Sequence, residues 1–509
     1  MDSLPFELVR LIFDYCDAAS VRTLRLTGTR YAEVGYEFLL PGHFDAVEWR
    51  DDARRLRSIA GHDRLRREIR SVTFNFARIN EHEARHDISF QHWLHEPEER
   101  RRLIQDAWCR YHEREKRARR LAPVHSRVGD LEEAFRNLPS LRHLDVTFAR
   151  CPYPDLPVLG DVFGVPSCRA LDRALACKNL NAVVSAARHA RPGLDSFSVD
   201  QLPLELFRLP DDRRLWFDCA RASFANLSRL RFVLDVPASM LPSARFRAVN
   251  GLGHVLQQAA HLTHLSLAFH MHHAPAEKFP LSLQGMFGGG GSGASSPTRA
   301  ATPTTSPRAG AVGDPVFARL TDLHLEGVSL AERDLRGFLL RHAATLERLR
   351  LGGRGLARPH EPPLGGVHLH EGSFRGLFSA LQGRLPALRR FHMEGDAEAG
   401  DFRAPSAASH REVYMFRPVA DDEWRPVGGD ETWVEKTGEQ GSGGVAVDGK
   451  TLQLLRGRGG GGGGGGNNGG EAGNGGGGGC VVKVVDSRAL ERFLIEGVGE
   501  YPRLGKVGA

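Results

Sequence analysis

Apolar residues recur along most of this chain in a six-residue template, apolar-x-x-apolar-x-apolar. Alternate side chains of a strand point to opposite faces, so the template predicts a short strand with one buried face. Apolar residues at helical spacing precede several templates, as in residues 131–137, 255–260 and 335–344. The pattern therefore predicts alternating helices and strands. The eight templates begin at Ile69, Leu141, Leu194, Leu227, Leu262, Leu320, Leu346 and Leu388.

The spacing of these templates indicates a repeat. The templates at Leu194, Leu227 and Leu262 start 33 and 35 residues apart, and those at Leu320 and Leu346 start 26 residues apart. A helix followed by a strand with this pattern is the unit of a leucine-rich repeat, and these intervals fit a repeat of about 20–35 residues. Each unit buries its apolar face only by stacking on neighbours. The alternative is that the template arises by chance in a leucine-rich helical protein.

The first forty residues predict three short helices. Pro5 suits the first turn of a helix, where its missing N–H group is not needed. Asp17 and Thr29 are predicted to cap the second and third helices. So small a unit has little core of its own and gains stability by burying its apolar stripe on a partner. The stripe on the first helix consists of Leu8, Leu11, Ile12 and Tyr15, at i, i+3, i+4 and i+7.

Residues 4–41 resemble an F-box, whose family pattern is Leu-Pro-x-Glu-Leu followed by a pair of Ile or Leu residues. Here the pattern reads Leu4-Pro5-Phe6-Glu7-Leu8 and Leu11-Ile12. In the third helix, Thr27-Gly28-Thr29-Arg30-Tyr31 replaces the usual Val-Ser-Lys/Arg-x-Trp/Phe. The resemblance implies binding to the Skp-type adaptor of a cullin–RING ubiquitin ligase, with the remaining chain selecting a protein substrate. The implied adaptor-binding residues are Leu4, Pro5, Leu8, Leu11 and Ile12.

The whole arrangement resembles the F-box proteins with degenerate leucine-rich repeats that are common in filamentous fungi. We expect an α/β fold: a three-helix F-box-like unit, then an irregular leucine-rich-repeat solenoid with parallel strands on its concave face and helices outside. The expected divisions are residues 1–45 for the adaptor-binding unit, 46–400 for the solenoid and 401–509 for a small C-terminal cap. Segment 287–313, rich in Gly and Ser/Thr-Pro, is expected to be a disordered insert, and the poly-Gly segment 457–479 an expanded loop.

Composition narrows the possible classes of protein. The 509 residues are 41% hydrophobic, enough to bury a core, and the net charge of +6 is too mild to indicate nucleic-acid binding. The seven cysteines are scattered without a Cys-x-x-Cys motif, as expected for reduced intracellular thiols. We expect no signal peptide, because the first residues lack a basic region followed by an apolar one, and no membrane span, because no apolar run is long enough. We expect an intracellular protein of the cytoplasm or nucleus that is not an enzyme and has no cofactor.

A candidate substrate-binding face follows from the strand pattern. Residues between the core positions of a template point to the opposite face of the strand, which is the concave face of a solenoid. This face is polar, net basic and rich in histidine, so an acidic or phosphorylated segment is a reasonable ligand. The alternative is that the face is merely solvated. Its residues are His143, Asp145, Ser196, Arg229, Arg231, His264, Asp322, His324, Arg348, Arg350, Arg390 and His392.

Two alternative functions remain open at this level. The first is a repeat scaffold without ligase recruitment, in which the N-terminal stripe caps the solenoid. The second is a zinc hydrolase, because His82-Glu83-Ala84-Arg85-His86 matches the His-Glu-x-x-His motif. That chemistry needs a dry cleft and a third ligand, whereas this segment is polar on all sides, so we expect a solvated turn or short helix. His270-Met271-His272-His273 is a weaker metal candidate of the same kind.

Residues 97–121 predict a long amphipathic helix with many basic residues. One interpretation is a phosphate-binding or nucleic-acid-binding helix. Acidic residues interleave with the basic ones, so we favour a solvated helix that packs on the rest of the chain through Trp108 and Tyr111.

Overall fold

The structure is a computed structural model. It describes residues 4–39, 42–86, 98–190, 193–208, 224–274, 277–287, 316–357, 363–400, 412–416, 484–485, 488–497 and 501. Two compact units divide the chain. The first comprises Met1–Ser266 with Phe317–Leu320, and the second comprises Leu267–Val316 with Thr321–Ala509.

Three short helices open the first unit, as the sequence predicts. The side chain of Asp17 caps the second helix by accepting a hydrogen bond of 2.7 Å from the backbone N–H of Ser20. The predicted cap at Thr29 is wrong, because Thr29 is the first residue of its helix and Gly28 takes the N-cap position without a side-chain hydrogen bond. The helices are α1 (Phe6–Asp14), α2 (Ala18–Arg25) and α3 (Thr29–Val34).

The rest of the first unit alternates helices with mostly parallel strands. The helices are α4 (Asp52–Ala60), α5 (Glu81–His86), α6 (Glu98–Ala118), α7 (Val128–Asn137), α8 (Pro157–Phe163), α9 (Arg173–Ala190) and α10 (Pro242–Gln257). The strands are β1 (His43–Val47), β2 (Ser71–Asn75), β3 (Arg78–Ile79), β4 (His143–Thr147), β5 (Arg169–Ala170), β6 (Ser196–Pro203) and β7 (Arg229–Asp235), followed by β8 (His264–His270), which has residues in both units. Short 3₁₀ helices span Leu65–Arg67, Val124–Ser126, Pro166–Cys168 and Leu204–Phe207.

The templates of the first unit pair in register. Strands β1, β2, β4, β6 and β7 are successive parallel neighbours, and β3 and β5 form a separate antiparallel pair. The second apolar position of each template therefore forms a buried row across four strands: Val72, Leu144, Phe197 and Leu230. Strand β1 extends this row through Phe44, although its sequence did not match the template.

The second unit contains two sets of strands that share β14. Its helices are α11 (Leu283–Phe287), α12 (Glu332–Arg341), α13 (Phe374–Leu381) and α14 (Arg488–Ile495). Its further strands are β9 (Phe279–Pro280), β10 (Asp322–Glu326), β11 (Val328–Ala331), β12 (Arg348–Gly352), β13 (His368–Glu371), β14 (Arg390–Ala399), β15 (Glu412–Phe416) and β16 (Val484–Val485). One parallel set runs β10-β12-β14, and the other runs β9-β11-β13-β14, with β15 antiparallel to β14.

A glycine lies where β14 changes partner. Residues up to Glu394 pair with β12, and residues from Gly395 onward pair with β15. Gly395 has a φ of +84°, a conformation that other residues adopt only with strain. A Cβ atom there would lie 2.7 Å from the backbone nitrogen of Gly366. Glycine therefore lets one long strand belong to both sets.

These observations confirm the α/β class with parallel strands. The described part of the expected C-terminal cap contains β15, β16 and α14. The described chain reaches Phe287 at the end of α11, so the predicted insert from residue 288 onward lies outside the described residues. The poly-Gly segment 457–479 also lies outside them.

Candidate functional site

Helix α1 is apolar on two opposite faces. Its inner face buries Val9 and Phe13, each only 1% exposed. These two side chains form a small core with Val21, Tyr31 and Val34 of the following helices. This core holds the three-helix unit together and leaves the predicted stripe outside it.

The outer face of α1 carries that stripe, which we call the α1 outer face: Leu8, Leu11, Ile12 and Tyr15. Leu8 is 46% exposed, Leu11 51% and Tyr15 86%, while Ile12 is half-buried. Exposed apolar side chains grouped on one face mark interaction sites in soluble proteins. The predicted residues Leu8 and Leu11 are thus available to a partner.

Leu4 and Pro5 lie differently from the rest of the predicted adaptor-binding set. Leu4 is half-buried and packs against the core of the three-helix unit. Its carbonyl oxygen accepts a hydrogen bond from the Arg30 guanidinium. Pro5 is exposed, and its carbonyl oxygen accepts the hydrogen bond from Val9 N–H at 3.1 Å. Leu4 therefore helps to fix the start of α1, and Pro5 lies at the edge of the α1 outer face.

Tyr36 attaches the three-helix unit to the chain that follows. The Arg25 and Arg64 guanidinium groups lie 4.5 Å and 5.3 Å from the centre of its ring. The His62 ring stacks on it at 5.5 Å, and its hydroxyl lies 3.1 Å from His62 Nε2. These contacts join α2 to the segment after α4 without covering the α1 outer face.

The predicted substrate-binding residues of the first unit form two rows across neighbouring strands. His143 pairs with Ser196 and Ser196 with Arg229, while Asp145 pairs with Ser198 and Ser198 with Arg231. Strands β1 and β2 extend the rows through four residues that sequence reasoning missed: His43, Asp45, Ser71 and Thr73. The first row alternates histidine with serine: His43 Nδ1 lies 2.7 Å from Ser71 Oγ, and His143 Nδ1 lies 2.9 Å from Ser196 Oγ. We call these two rows the polar strand face.

Charge is distributed unevenly along the polar strand face. Burial raises the pKa of the Asp145 carboxyl, and the nearby His43, His143, Arg150 and Arg231 partly offset that rise. Arg229 and Arg231 are exposed at the other end. Among the described residues, no carboxylate forms an ion pair with either guanidinium. His264, on the next strand, is half-buried, and its Nδ1 lies 2.7 Å from Thr263 Oγ1. The face can therefore attract anions at its Arg229–Arg231 end.

The predicted residues of the second unit also form rows, but their charges are largely paired. Asp322, Arg348 and Arg390 align on neighbouring strands, as do His324, Arg350 and His392. Arg348 contacts Asp322 at 2.8 Å, and Arg350 contacts Glu394 at 2.5 Å. Both arginine side chains are mostly buried. The expected basic surface is thus neutralised here by two carboxylates, Asp322 and Glu394, the second of which directly follows a template.

A buried carboxylate follows the template of β10 as well. Gly355 N–H donates a hydrogen bond of 2.6 Å to Glu326 Oε1, and His270 Nε2 lies 3.3 Å from the same oxygen. His324 Nε2 lies 3.7 Å from Oε2. Burial alone would raise the pKa of Glu326, but these partners, His270 foremost, lower it to about 2. This glutamate is therefore ionised and holds two histidines and a glycine turn together.

Asp396 is the centre of a second buried network. The Lys278 ammonium lies 2.8 Å from Asp396 Oδ2, and His368 Nε2 lies 3.3 Å from the same atom. Gly366 N–H donates a hydrogen bond of 3.1 Å to Oδ1. Burial raises the pKa of Asp396, but Lys278 and then His368 lower it to about 2 overall. The network ties β13 and β14 to the residue that precedes β9.

The metal candidates are not assembled into a site. His82 and Glu83 lie on the six-residue helix α5 and are exposed, as expected for a short solvated helix. In the part of the chain that the structure describes, no group of three His, Cys, Asp or Glu side chains could hold a metal ion. His270, from the second candidate, instead binds Glu326.

The long basic helix packs on the first unit in the way we favoured. Tyr111 of α6 is buried, and Trp108 packs against the same cluster, which includes Tyr153. The Arg114 guanidinium lies 4.4 Å from the Trp49 ring centre and pairs with Asp155. The apolar side of α6 therefore packs against the rest of the first unit.

The chain matches no family model and no curated protein. No helix among the described residues is both long and apolar enough to cross a membrane.

Proposed function

We propose that this chain is the substrate-recognition subunit of a Skp–cullin–F-box type ubiquitin ligase. The observation that carries the proposal is the α1 outer face: Leu8 and Leu11 are exposed while Val9 and Phe13 already complete the core behind them. A helix that is apolar on its outer side as well suits docking into an apolar groove of another protein. The resemblance to the F-box pattern implies that this partner is a Skp-type adaptor.

We further propose that the chain after the three helices is an irregular leucine-rich-repeat array. The support is the register of the templates, which places equivalent apolar residues side by side on parallel strands, as in Leu323, Leu349 and Phe391. Helices α7 and α12 lie between strands, as a repeat requires. In a solenoid, the residues that alternate with these apolar positions form one extended face for a protein partner.

Substrate would bind the polar strand face, with the Arg229–Arg231 end favouring an acidic or phosphorylated segment. The chain would perform no chemistry. It would hold substrate lysines at high effective concentration near the ubiquitin-charged enzyme. We also propose, as part of this function, that the protein is intracellular and binds no nucleic acid, membrane or cofactor.

The alternative scaffold function, in which the α1 stripe caps the repeats, has less support. A capping role would bury Leu8 and Leu11 on the neighbouring repeat, and the described residues leave both exposed.

Co-purification with a purified Skp-type adaptor tests the proposal. The parent should bind, and a Leu8→Ala/Leu11→Ala/Ile12→Ala variant should not, since each buried anchor contributes about 1–3 kcal/mol. Leu241→Ala is the matched control, because Leu241 is an exposed leucine beside α10 in the same unit. Failure of a folded parent to bind, or equal loss in the control, would contradict the proposal.

A further inference from the structure

The C-terminal end of α6 carries a group of basic side chains that have no acidic partner. All of them are exposed, and within the described chain none forms an ion pair or a side-chain hydrogen bond. Unpaired charges grouped at one place on a surface attract a partner of opposite charge. We call this group the basic α6 end, and it consists of Lys116, Arg117, Arg119 and Arg120.

The first turns of α6 differ, because arginines there have acidic partners on the same helix. Arg102 Nη2 lies 2.8 Å from Glu98 Oε1, and Arg110 Nε lies 3.0 Å from Asp106 Oδ2. Such i, i+4 pairs neutralise charge on the surface of a helix. Acids therefore offset bases along this part of α6, as the sequence predicted.

The acids near the basic α6 end do not neutralise it in the same way. Glu115 is half-buried, and its charge acts on the core: burial, and then Glu115, raise the pKa of the Tyr111 and Tyr153 hydroxyls. Arg114 also turns inward, where it pairs with Asp155. Glu113, one turn earlier, is exposed, but no ion pair joins it to a base of the described chain. The outer surface at this end of α6 therefore carries a clear excess of positive charge.

The basic α6 end crosses the end of the helix. The helix ends at Ala118, so the first two bases lie in its last turn and the other two follow it. Beyond that point, Arg120 N–H bonds to Arg117 O at 3.0 Å and Leu121 N–H bonds to Ala118 O at 3.2 Å. These i to i−3 bonds are typical of a tapering helix end, and helix ends fray. The segment can therefore open into an extended chain while the buried Tyr111 holds the rest of α6 in place.

We propose that the basic α6 end is a nuclear import signal, bound in extended form by an acidic groove of an import receptor. Short segments rich in Lys and Arg are typical of such signals. Carboxylates of the groove would pair with the charges, and its walls would pack against the aliphatic stems of the side chains. Nucleic acid matches less well, because a few phosphate contacts alone give weak binding at physiological salt. This surface is separate from the α1 outer face, so the inference does not depend on the ligase proposal.

Binding of the full-length protein to a purified import receptor for Lys- and Arg-rich signals tests this inference, by biolayer interferometry at physiological salt. We expect the parent to bind. Loss of the charge pairs should weaken binding at least about tenfold in the variant Lys116→Ala/Arg117→Ala/Arg119→Ala/Arg120→Ala. Alanine is the most favourable helix residue, so the fold should persist, and urea denaturation checks this. Arg119→Ala/Arg120→Ala, which changes only residues beyond the helix, should also weaken binding.

A matched control removes the same charge from exposed arginines elsewhere and should bind as the parent does: Arg54→Ala/Arg101→Ala/Arg247→Ala/Arg389→Ala. When fused to a fluorescent protein in cells, the parent and this control should accumulate in the nucleus. The variant without the basic α6 end should remain outside it.

Each alternative result overturns the inference. If the folded parent does not bind the receptor, the basic α6 end is only a solvated helix end. If the control loses binding as much as the other variants, the interaction depends on net charge alone. If the parent binds a duplex DNA oligonucleotide through these four residues and does not bind the receptor, the segment is a nucleic-acid site.

Discussion

Leu8 and Val9 are neighbours in the sequence but lie on different faces of α1. Val9 is buried in the core of the three-helix unit, whereas Leu8 is nearly half exposed. The two residues have similar apolar side chains, so the difference between them is in exposure and not in chemistry. One face stabilises the unit and the other is available for a partner.

The first prediction uses this pair. Leu8→Asp should change the free energy of unfolding by no more than about 0.5 kcal/mol, as surface substitutions do, and should abolish adaptor binding. Val9→Asp should unfold the three helices, because an uncompensated buried charge costs about 3–5 kcal/mol. Hydrogen exchange of residues 4–39, beside adaptor co-purification, measures both effects. Strong protection in Val9→Asp, or adaptor binding by Leu8→Asp, would contradict the assignment of the two faces.

The second prediction concerns the Lys278–Asp396 ion pair, whose side chains are 1% and 6% exposed. Lys278→Met should lower the free energy of unfolding by about 3–5 kcal/mol, because Asp396 then stays buried without its cation. Lys278→Met/Asp396→Leu should be more stable than the single variant, since no unpaired charge remains. Urea denaturation measures both. A single variant within about 1 kcal/mol of the parent would show that Asp396 does not need Lys278.

A third prediction follows from the pKa values of Glu326 and Asp396, both lowered to about 2 from ordinary values of 4.5 and 3.8. A carboxyl with a depressed folded-state pKa contributes stability above its unfolded pKa and loses it as the pH falls toward the folded pKa. The second unit should therefore lose about 2–3 kcal/mol per group between pH 4.5 and 2. The measurement is urea denaturation across this range. Glu326→Gln, which cannot ionise, should flatten the pH dependence, and an unchanged profile would refute the role of Glu326.

The sequence predicted those parts of the fold that depend on side-chain periodicity. Leu323 and Leu349 were recognised as equivalent positions and pair directly on parallel strands. Strand β1 was not predicted, because the apolar pattern around Phe44 and Ala46 is too short to match the template. Only its pairing with β2 identifies it as a strand. Periodicity shows which residues share one face of a strand. It does not show which other strands, outside the repeats, pair with that strand.

The candidate sites were predicted unevenly for the same reason. The α1 stripe was identified from helical spacing, yet the sequence did not separate Leu4, which packs inward, from Leu8, which faces outward. On the strands, Arg350 was assigned to a basic surface, but Glu394 on the adjacent strand neutralises it. That pairing joins residues 44 positions apart, and no local pattern shows it.

The fourth prediction concerns the glycine at the partner change of β14. Gly395→Ala should destabilise the second unit by about 1–3 kcal/mol, because Gly395 has a positive φ and no room for a Cβ atom. Gly337→Ala is the matched control in the same unit. Gly337 lies within α12 with open space around it, so alanine there should stabilise the helix by about 0.5–1 kcal/mol. Thermal unfolding of both variants measures the difference, and equal shifts would mean that Gly395 is not conformationally required.

The fifth prediction concerns the Arg229–Arg231 end of the polar strand face. The two guanidinium groups lie on the same face of β7, two residues apart, where one phosphate or carboxylate cluster can bind both. Arg229→Glu/Arg231→Glu should weaken binding to an immobilised phosphopeptide library at least tenfold and leave adaptor binding unchanged. The control is Arg101→Glu/Arg102→Glu on the solvent side of α6, which makes the same change in net charge. If both double variants lose binding equally, the interaction depends on net charge alone and the polar strand face is not the substrate site.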